Sequence, residues 1–552
     1  FLPGLLSGIP GKKAGSPGAV LGLSLSLGLA LSILSRAGNS GVDPFFEPAG
    51  QPLAWILAIV GIALLIREIH ASGELPEEIE VHELHASFFR EAALSLGMVS
   101  VLALLYATFS SPNVLSRWTG ENYPVTLALV VTSLSLFAVV LTGLIRRGGA
   151  LPPQWVILWN AVFLACLLLT ILPFQLNLPD DPGGYPFYAQ PVPFWLRLPY
   201  YGMILLFPVV LYDFALYAQA LRAGHSTPRR LGAAFGLAAV YLLLAVFAQV
   251  FTTVYDYIPV VGPLFRDRFW LAFLPLGLAA ALPALFLYKE PFKRQAALSF
   301  GLGTAVVLAG LATLISGLLT SETPHIPEPG ADSLKVFTYN IQQGYDSAGE
   351  KGRLEQVALM QSMDADIIGL QESDTNRISG GNSDLVRFFA DRLDMHAYYG
   401  PNVIAGTFGI ALLSKYPIEN PRTFYMYSTG EQTATIQAEI RAGGREYHVF
   451  VTHLGNDGPL LQQENFLEAT NGLENVIAMG DFNFRPDTPQ YAMTTEILDD
   501  AFVRAGEAPT EGLDPARRID HMFVSPEVAV RSATYIASPV SDHPGLVVEI
   551  GR

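Results

Sequence analysis

Cysteine is almost missing from this chain: Cys166 is the one such residue among 552. It lies inside an apolar run, which excludes an intrachain disulfide and paired-thiol chemistry. An exported region would have to fold on its core alone, as about 220 residues can. Charge is scarce as well. Asp, Glu, Lys and Arg make up only 15% of the chain and hydrophobic residues 51%, a balance that points to a membrane rather than to one large soluble core. Positive charge is shortest toward the C-terminus, where residues 331–552 carry 16 Lys and Arg against 31 Asp and Glu, a net charge of −15. A surface this acidic repels the phosphates of a long nucleic acid, whose binding depends on cationic neutralisation, so no stable nucleic-acid partner is expected. The first residue is phenylalanine, which reads as a trimmed start and leaves a lost signal or anchor open.

What the first 320 residues do have is nine apolar stretches, near 17–35, 52–66, 92–110, 124–145, 154–174, 200–220, 231–253, 269–288 and 297–319. Most reach the roughly 20 residues that a helix needs to cross a bilayer core, so residues 1–320 are expected to form a polytopic α-helical membrane domain of about nine transmembrane helices. The second stretch is short; it reads as a span anchored by Trp55 and Arg67 or as a re-entrant helix. With the N-terminus inside, the inner segments hold Lys12, Lys13, Arg67, Arg90, Arg146, Arg147, Arg222, Arg229, Arg230, Lys289, Lys293 and Arg294. The outer ones hold Arg36, Arg117, Arg197, Arg266 and Arg268. This asymmetry favours that orientation, and nine spans then place the C-terminal region on the extracytoplasmic side. A Pro-rich linker over 321–332 reads as a short tether.

Three features of the membrane half leave alternatives open. The aromatic-rich loop 175–199 suits the headgroup layer, as a plain interfacial segment or as a substrate contact. In the loop 254–268, Arg266 and Arg268 are suited either to clasping a lipid phosphate or to anchoring at the interface. Asp213, within the sixth stretch among Tyr201, Tyr212 and Tyr217, is a functional candidate or a structural hydrogen-bonding group.

The remaining residues, 333–552, carry short β-branched or aromatic runs that each end in a polar group, the pattern of buried strands delivering functional groups at their tips. In order these are Phe337-Thr-Tyr-Asn340, Asp366-Ile-Ile-Gly-Leu-Gln371-Glu372, Val449-Phe-Val-Thr452-His453, Met-Gly-Asp481-Phe-Asn483, Arg518-Ile-Asp520-His521 and Ser541-Asp542-His543. Asp481 and Asn483, two apart at a strand end, are expected on one side of it, facing one substrate atom. Each motif alone is weak, since Asp-x-Asn is usually a turn and a single His usually structural. Strands at 335–339, 367–371, 409–414, 434–440, 447–452, 475–480, 519–524 and 546–550 are expected to alternate with helices near 353–363, 383–394 and 460–470. The expected fold is a two-sheet α/β sandwich with active residues at one rim.

The ordered set resembles the endonuclease/exonuclease/phosphatase superfamily, the deoxyribonuclease-I-like fold. The whole arrangement, many spans followed by this domain, resembles the GPI-lipid-remodelling PGAP-two-interacting proteins. The resemblance implies a divalent cofactor, Mg²⁺ or else Mn²⁺ or Ca²⁺, with Glu372 as principal ligand, Asn340 beside it and Asp542 near the same site. It implies phosphate binding or leaving-group protonation by His453, and phosphate binding by His543 oriented by Asp520. Asp481 is the candidate for orienting and deprotonating water, and Asn483 for donating to a phosphoryl oxygen or nucleophile. Glu372–Asp384 resembles the segment after the metal glutamate in lipid-acting members, which makes Arg377 a substrate-binding candidate. Two departures leave substrate contact open: His521 stands where an aromatic is common, and Gln342-Gln343 where His or Arg is.

The leading expectation is a membrane-tethered, metal-dependent phosphodiesterase or phospholipase-like enzyme acting on a lipid headgroup, a phosphoinositide, sphingolipid or GPI-type lipid, which the resemblance narrows to an inositol-phosphate anchor. One alternative is an extracytoplasmic nuclease or nucleotide phosphatase, and another is a non-catalytic lipid-binding or transport scaffold. Substrate choice within such a fold resides in loops, which the sequence does not decode.

Overall fold

The computed structural model describes residues 17–71, 87–188, 193–223, 226–252, 258–266, 268–287, 292, 296–319, 324, 333–373, 380–400, 409–430, 432–506, 510 and 513–551. The chain divides into two compact units. The first comprises Phe1–Gln175, Val192–Thr252 and Arg268–Ser321; the second comprises Leu176–Pro191, Thr253–Asp267 and Glu322–Arg552.

The first unit is helical, and the protein is a multi-pass membrane protein. Among the described residues, seven helices are long and apolar enough to cross a bilayer: Gly18–Ala37, Phe88–Ala107, Tyr123–Arg147, Pro153–Phe174, Phe194–Ala223, Pro228–Phe251 and Ser299–Leu319. The other two of the nine expected stretches form shorter apolar helices, Gln51–Ala63 and Trp270–Leu285. Proline explains the second of these, since Pro275 sits inside the helix and the turns from Leu282 tighten to a 3-10 helix. Pro208 likewise interrupts the Phe194–Ala223 span between helices Leu198–Leu206 and Pro208–Ala223. Asp213 is fully buried, and its Oδ1 accepts from Asn160 Nδ2 at 3.3 Å.

The second unit is the expected α/β sandwich. Its strands are β1 (Phe187–Tyr188), β2 (Ser333–Asn340), β3 (Ile367–Gln371), β4 (His396–Gly400), β5 (Ile410–Ser414), β6 (Ile418–Met426), β7 (Thr433–Ala442), β8 (Arg445–His453), β9 (Val476–Asp481), β10 (Asp499–Asp500), β11 (Asp520–Val524), β12 (Val530–Ile536) and β13 (Gly545–Gly551). One sheet has the order β1-β6-β7-β8-β9-β11-β10, the other β12-β13-β2-β3-β5-β4. At the centres, β2 and β3 run parallel, as do β8 and β9. Central strands β3, β5, β9 and β11 are buried along their whole length, which is why they read as continuous apolar runs. Gly369 marks a close approach of the two sheets: a Cβ there would lie 2.8 Å from Met479 Sδ. Outside the β6–β9 face, helix Leu460–Thr470 packs Phe466 and Leu467 on Phe424, Phe450 and Phe482.

Two segments that sequence reading placed in loops of the membrane half group instead with this domain. Leu176–Pro191 supplies β1, and Thr253–Asp267 supplies Arg266.

Candidate active site

Strand register builds the site. His453 at the end of β8 is paired with Asp481 at the end of β9, and Asp481 with Asp520 at the start of β11. Directly opposed residues on neighbouring strands project to one face, so these three side chains share a face by virtue of the pairing alone. Gly480 lets the strands approach here, since a Cβ on it would lie 2.0 Å from Thr452 O. On the facing sheet, Asn340 ends β2, and its strand partner Gln371 is followed by Glu372.

Asn340 ties the two sheets together. Its Nδ2 donates to Glu372 Oε1 at 3.2 Å and to Asp481 Oδ2 at 3.1 Å, while its Oδ1 accepts the Gln342 N–H at 3.0 Å. Asp481, 1% exposed, is the hub. Its Oδ2 lies 3.6 Å from His453 Nε2 and 3.7 Å from His543 Nε2, and its Oδ1 accepts the Asn483 N–H at 3.0 Å.

His543 and Asp520 form a pair, with Nδ1 to Oδ2 at 2.9 Å. Burial opposes charge on the imidazole, but the Asp520 carboxylate, the hydrogen bond to it and the nearby Asp481 outweigh burial and hold the His543 pKa up at about 10. Burial pushes Asp520 up to about 6, against the pull of His543. At neutral pH the pair is therefore imidazolium and carboxylate. Two groups outside the expected set fix it: Tyr535 OH donates to Asp520 O at 2.6 Å, and Ser541 Oγ accepts the His543 N–H at 3.3 Å while donating to Asn340 O at 2.7 Å. Ser541 was visible as part of a motif, whereas Tyr535 carries no local signal.

Asn483 is placed otherwise than the strand-period argument expects. The strand stops at Asp481, and Asn483 has a left-handed backbone with φ 54°. In that turn its N–H reaches back to Asp481, and its Nδ2 donates to Leu454 O at 2.9 Å. The turn arises because an Asn or Asp side chain captures a backbone N–H two residues on. Asp542 is exposed, with Oδ1 3.4 Å from Ser541 Oγ, the hydroxyl that also bonds Asn340 O. Arg377 lies outside the described residues. Arg266 donates from Nη2 to Ser428 O at 2.8 Å and from Nη1 to Thr429 O at 3.4 Å, contacts within the second unit. Arg268 is exposed and belongs to the first unit.

His521 behaves as an aromatic residue. Its ring stacks on Phe484 at 5.4 Å, its Nε2 donates to Phe484 O at 2.9 Å, and burial lowers its pKa to about 4. Beneath it, a buried network missed by sequence reading anchors the approach to Asp520. Arg518 Nη2 bonds Asp500 Oδ2 at 2.8 Å, and Tyr491 OH donates to the same oxygen at 2.9 Å.

A divalent cation fits the donors at the rim. Glu372 and Asp481 both accept from the Asn340 amide, which brings two carboxylates to one rim. Their oxygens are the hard ligands that Mg²⁺-like ions take. Asp481, Asp520 and His543 also each offer a ligand atom within 4.8 Å of the others. In that trio the His543–Asp520 hydrogen bond already joins the two groups, so Glu372 with Asn340 and Asp481 is the better fit.

This fold and rim define a domain of the endonuclease/exonuclease/phosphatase type. More narrowly, residues 332–482 match the family described as "PGAP2IP, C-terminal nuclease-like domain". Over 432 residues the chain is 28% identical to protein cwh43 of Schizosaccharomyces pombe, covering 72% of this chain and 40% of that protein, so it spans about two fifths of that relative's length. Solved structures similar to its C-terminal part include an endonuclease/exonuclease/phosphatase from Beutenbergia cavernae (17% identity, 40% of this chain and 72% of that one, TM-score 0.33). Another is the human Nocturnin catalytic domain with bound sulfate anion (19% identity, 41% of this chain and 96% of that one, TM-score 0.31).

Proposed function

We propose that this protein is a membrane-anchored, divalent-metal-dependent phosphodiesterase that acts on a lipid headgroup, of the inositol-phosphate or GPI type, from the extracytoplasmic face. The observation that carries the reading is the Asp481 hub: a buried carboxylate flanked by two imidazoles, one held as imidazolium by Asp520. That arrangement suits in-line displacement at phosphorus. Asp481 takes the proton of the attacking hydroxyl as its oxygen bonds to phosphorus. The bond to the leaving oxygen breaks, and an imidazolium supplies that oxygen's proton. His543, charged at neutral pH, also draws the phosphoryl oxygens. With water as nucleophile the reaction is hydrolysis; with a lipid alcohol it is exchange of the lipid moiety. A cation held by Glu372 and Asn340 would neutralise charge on the phosphoryl group.

The resemblance to the GPI-lipid-remodelling PGAP-two-interacting proteins, whose nuclease-like domain residues 332–482 match, supports a lipid substrate. So does the net charge of −15 over residues 331–552, which disfavours polyanions. The test is metal-dependent release of headgroup from a panel of vesicle lipids, set beside duplex DNA and nucleotides, for wild type and Glu372→Gln. Lipid cleavage that chelator abolishes and Glu372→Gln reduces by roughly 10²-fold or more is expected, since the ligand charge is lost while shape is kept. Undiminished turnover in excess chelator would sink the metal assignment, and robust DNA cleavage would favour the nuclease reading.

A further inference from the structure

An edge of the catalytic sheet is finished by a strand that comes from between two membrane helices. Strand β6 is nine residues long, and its two halves differ. The first half carries Glu419, Asn420, Pro421 and Arg422 and has a register shift between Glu419 and Arg422, devices that keep a strand edge from pairing further. The second half, Thr423 to Met426, has no charge, and Phe424, Tyr425 and Met426 are at most 3% exposed. Strand β1 covers that unprotected half, pairing Phe187 with Tyr425 and Tyr188 with Phe424.

Side chains secure the contact. The Tyr188 ring lies 5.2 Å from that of Phe424, the Arg422 guanidinium sits 4.6 Å over it, and Tyr188 OH donates to Gln437 Oε1 at 3.4 Å. Tyr185 packs edge-on to Tyr427 at 5.6 Å, and Asn465 Nδ2 donates to Tyr185 O at 3.5 Å. Arg266, from the second membrane-half segment, binds the carbonyls of Ser428 and Thr429 in the turn that follows β6.

Register says where this happens. Phe187, Tyr425, Ala434, His453, Asp481 and Asp520 form one transverse row of paired residues across six strands. Strand β1 therefore joins the sheet at the level of the catalytic rim, with its backbone roughly 14 Å from that of His453 by strand spacing. The segment is continuous in sequence with helix Pro153–Phe174 on one side and the Phe194–Ala223 span on the other.

We propose that Leu176–Tyr188 is a strap through which the membrane half holds the catalytic rim, a positioning element needed for substrates in a bilayer and dispensable for chemistry on soluble ones. This rests on the phosphodiesterase reading for its activity readout. The test uses the full chain with Cys166→Ser, so that introduced thiols are unique. Phe187→Cys with Tyr425→Cys, directly opposed, should form a disulfide readily, and the oxidised protein should keep its turnover of phosphatidylinositol vesicles. Tyr188→Pro removes the ring and fixes φ at roughly −65°, away from strand geometry, and Tyr188→Ala removes the ring alone. Both should lower vesicle turnover, Tyr188→Pro by about 10-fold or more, while hydrolysis of soluble bis(p-nitrophenyl) phosphate stays within about 2-fold, which also certifies a folded domain.

Absence of the disulfide, equal loss on both substrates, or unchanged vesicle turnover in Tyr188→Pro would overturn the strap. Wild-type protein inactive on both substrates would instead remove the phosphodiesterase reading. The strap would then be judged by the disulfide yield and by its loss when Tyr188→Pro is added.

Discussion

The Asp520–His543 pair makes the site answer to pH in two directions. His543, raised from 6.5 to about 10, contributes stability that is complete below pH 6.5 and lost as pH climbs through about 10. Asp520, raised from 3.8 to about 6, holds more protons folded than unfolded in that window, so its share of stability falls as pH rises across it. The charged pair exists between about pH 6 and about pH 10, and the proposed turnover should follow a bell with limbs near those values. The gap in thermal stability between wild type and His543→Ala should accordingly shrink above about pH 10; a gap that persists there would mean that the ring packs rather than pairs. Asn483 offers a second residue-scale test. Glycine keeps its left-handed backbone and the N–H to Asp481, whereas Asn483→Val should lose roughly 1–2 kcal/mol in a conformation that β-branched residues resist. If Asn483→Gly retains both fold and full rate, the side chain takes no part in the chemistry.

Among the elements, central strands were legible and edge strands were not. β3, β9 and β11 are buried on both faces, so their apolar runs announce them, and helices Arg353–Met363 and Leu460–Thr470 begin and end where the sequence reading places them. Edge conditions hide β6 behind Pro421 and Arg422, and β12 behind exposed Arg531 and Ser532. Strand β1 is two residues long, too short for any period, and its partner lies more than 200 residues away. For the same reason the rim residues could be nominated by motif order, while the Asn340 bridge between sheets and the Asp500–Arg518–Tyr491 network depend on tertiary packing. Arg518 and Asp500 are 4% and 2% exposed, so Arg518→Met should leave a buried, unpaired carboxylate at a cost of about 3–5 kcal/mol. Adding Asp500→Leu should recover part of the loss in thermal denaturation, and strict additivity would mean that the two are not coupled.

For the whole molecule, parity constrains topology. The segments grouped in the second unit follow the Pro153–Phe174 helix, the Pro228–Phe251 helix and the Ser299–Leu319 helix. Segments of one compact domain lie on one side of a bilayer, so an even number of crossings must separate each from the next. Between Arg266 and the C-terminal domain stand only Ser299–Leu319 and the short Trp270–Leu285 helix among those described, so the short helix is expected to cross. A protease site inserted between those two helices should be cut from the face opposite the catalytic domain, which is the cytoplasmic face under the proposed orientation. Cutting both from one face would break the parity. The transverse row of His453, Asp481 and Asp520 has a last consequence, for how such a site can change. Its spacing is the pitch of hydrogen-bonded strands, a ruler that no loop can stretch. A single-residue deletion within β9 would turn Asp481 to the other face and silence the chemistry, even in a chain that still folds. Lengthening a loop beyond the rim leaves the ruler untouched, so new substrates are most readily acquired there.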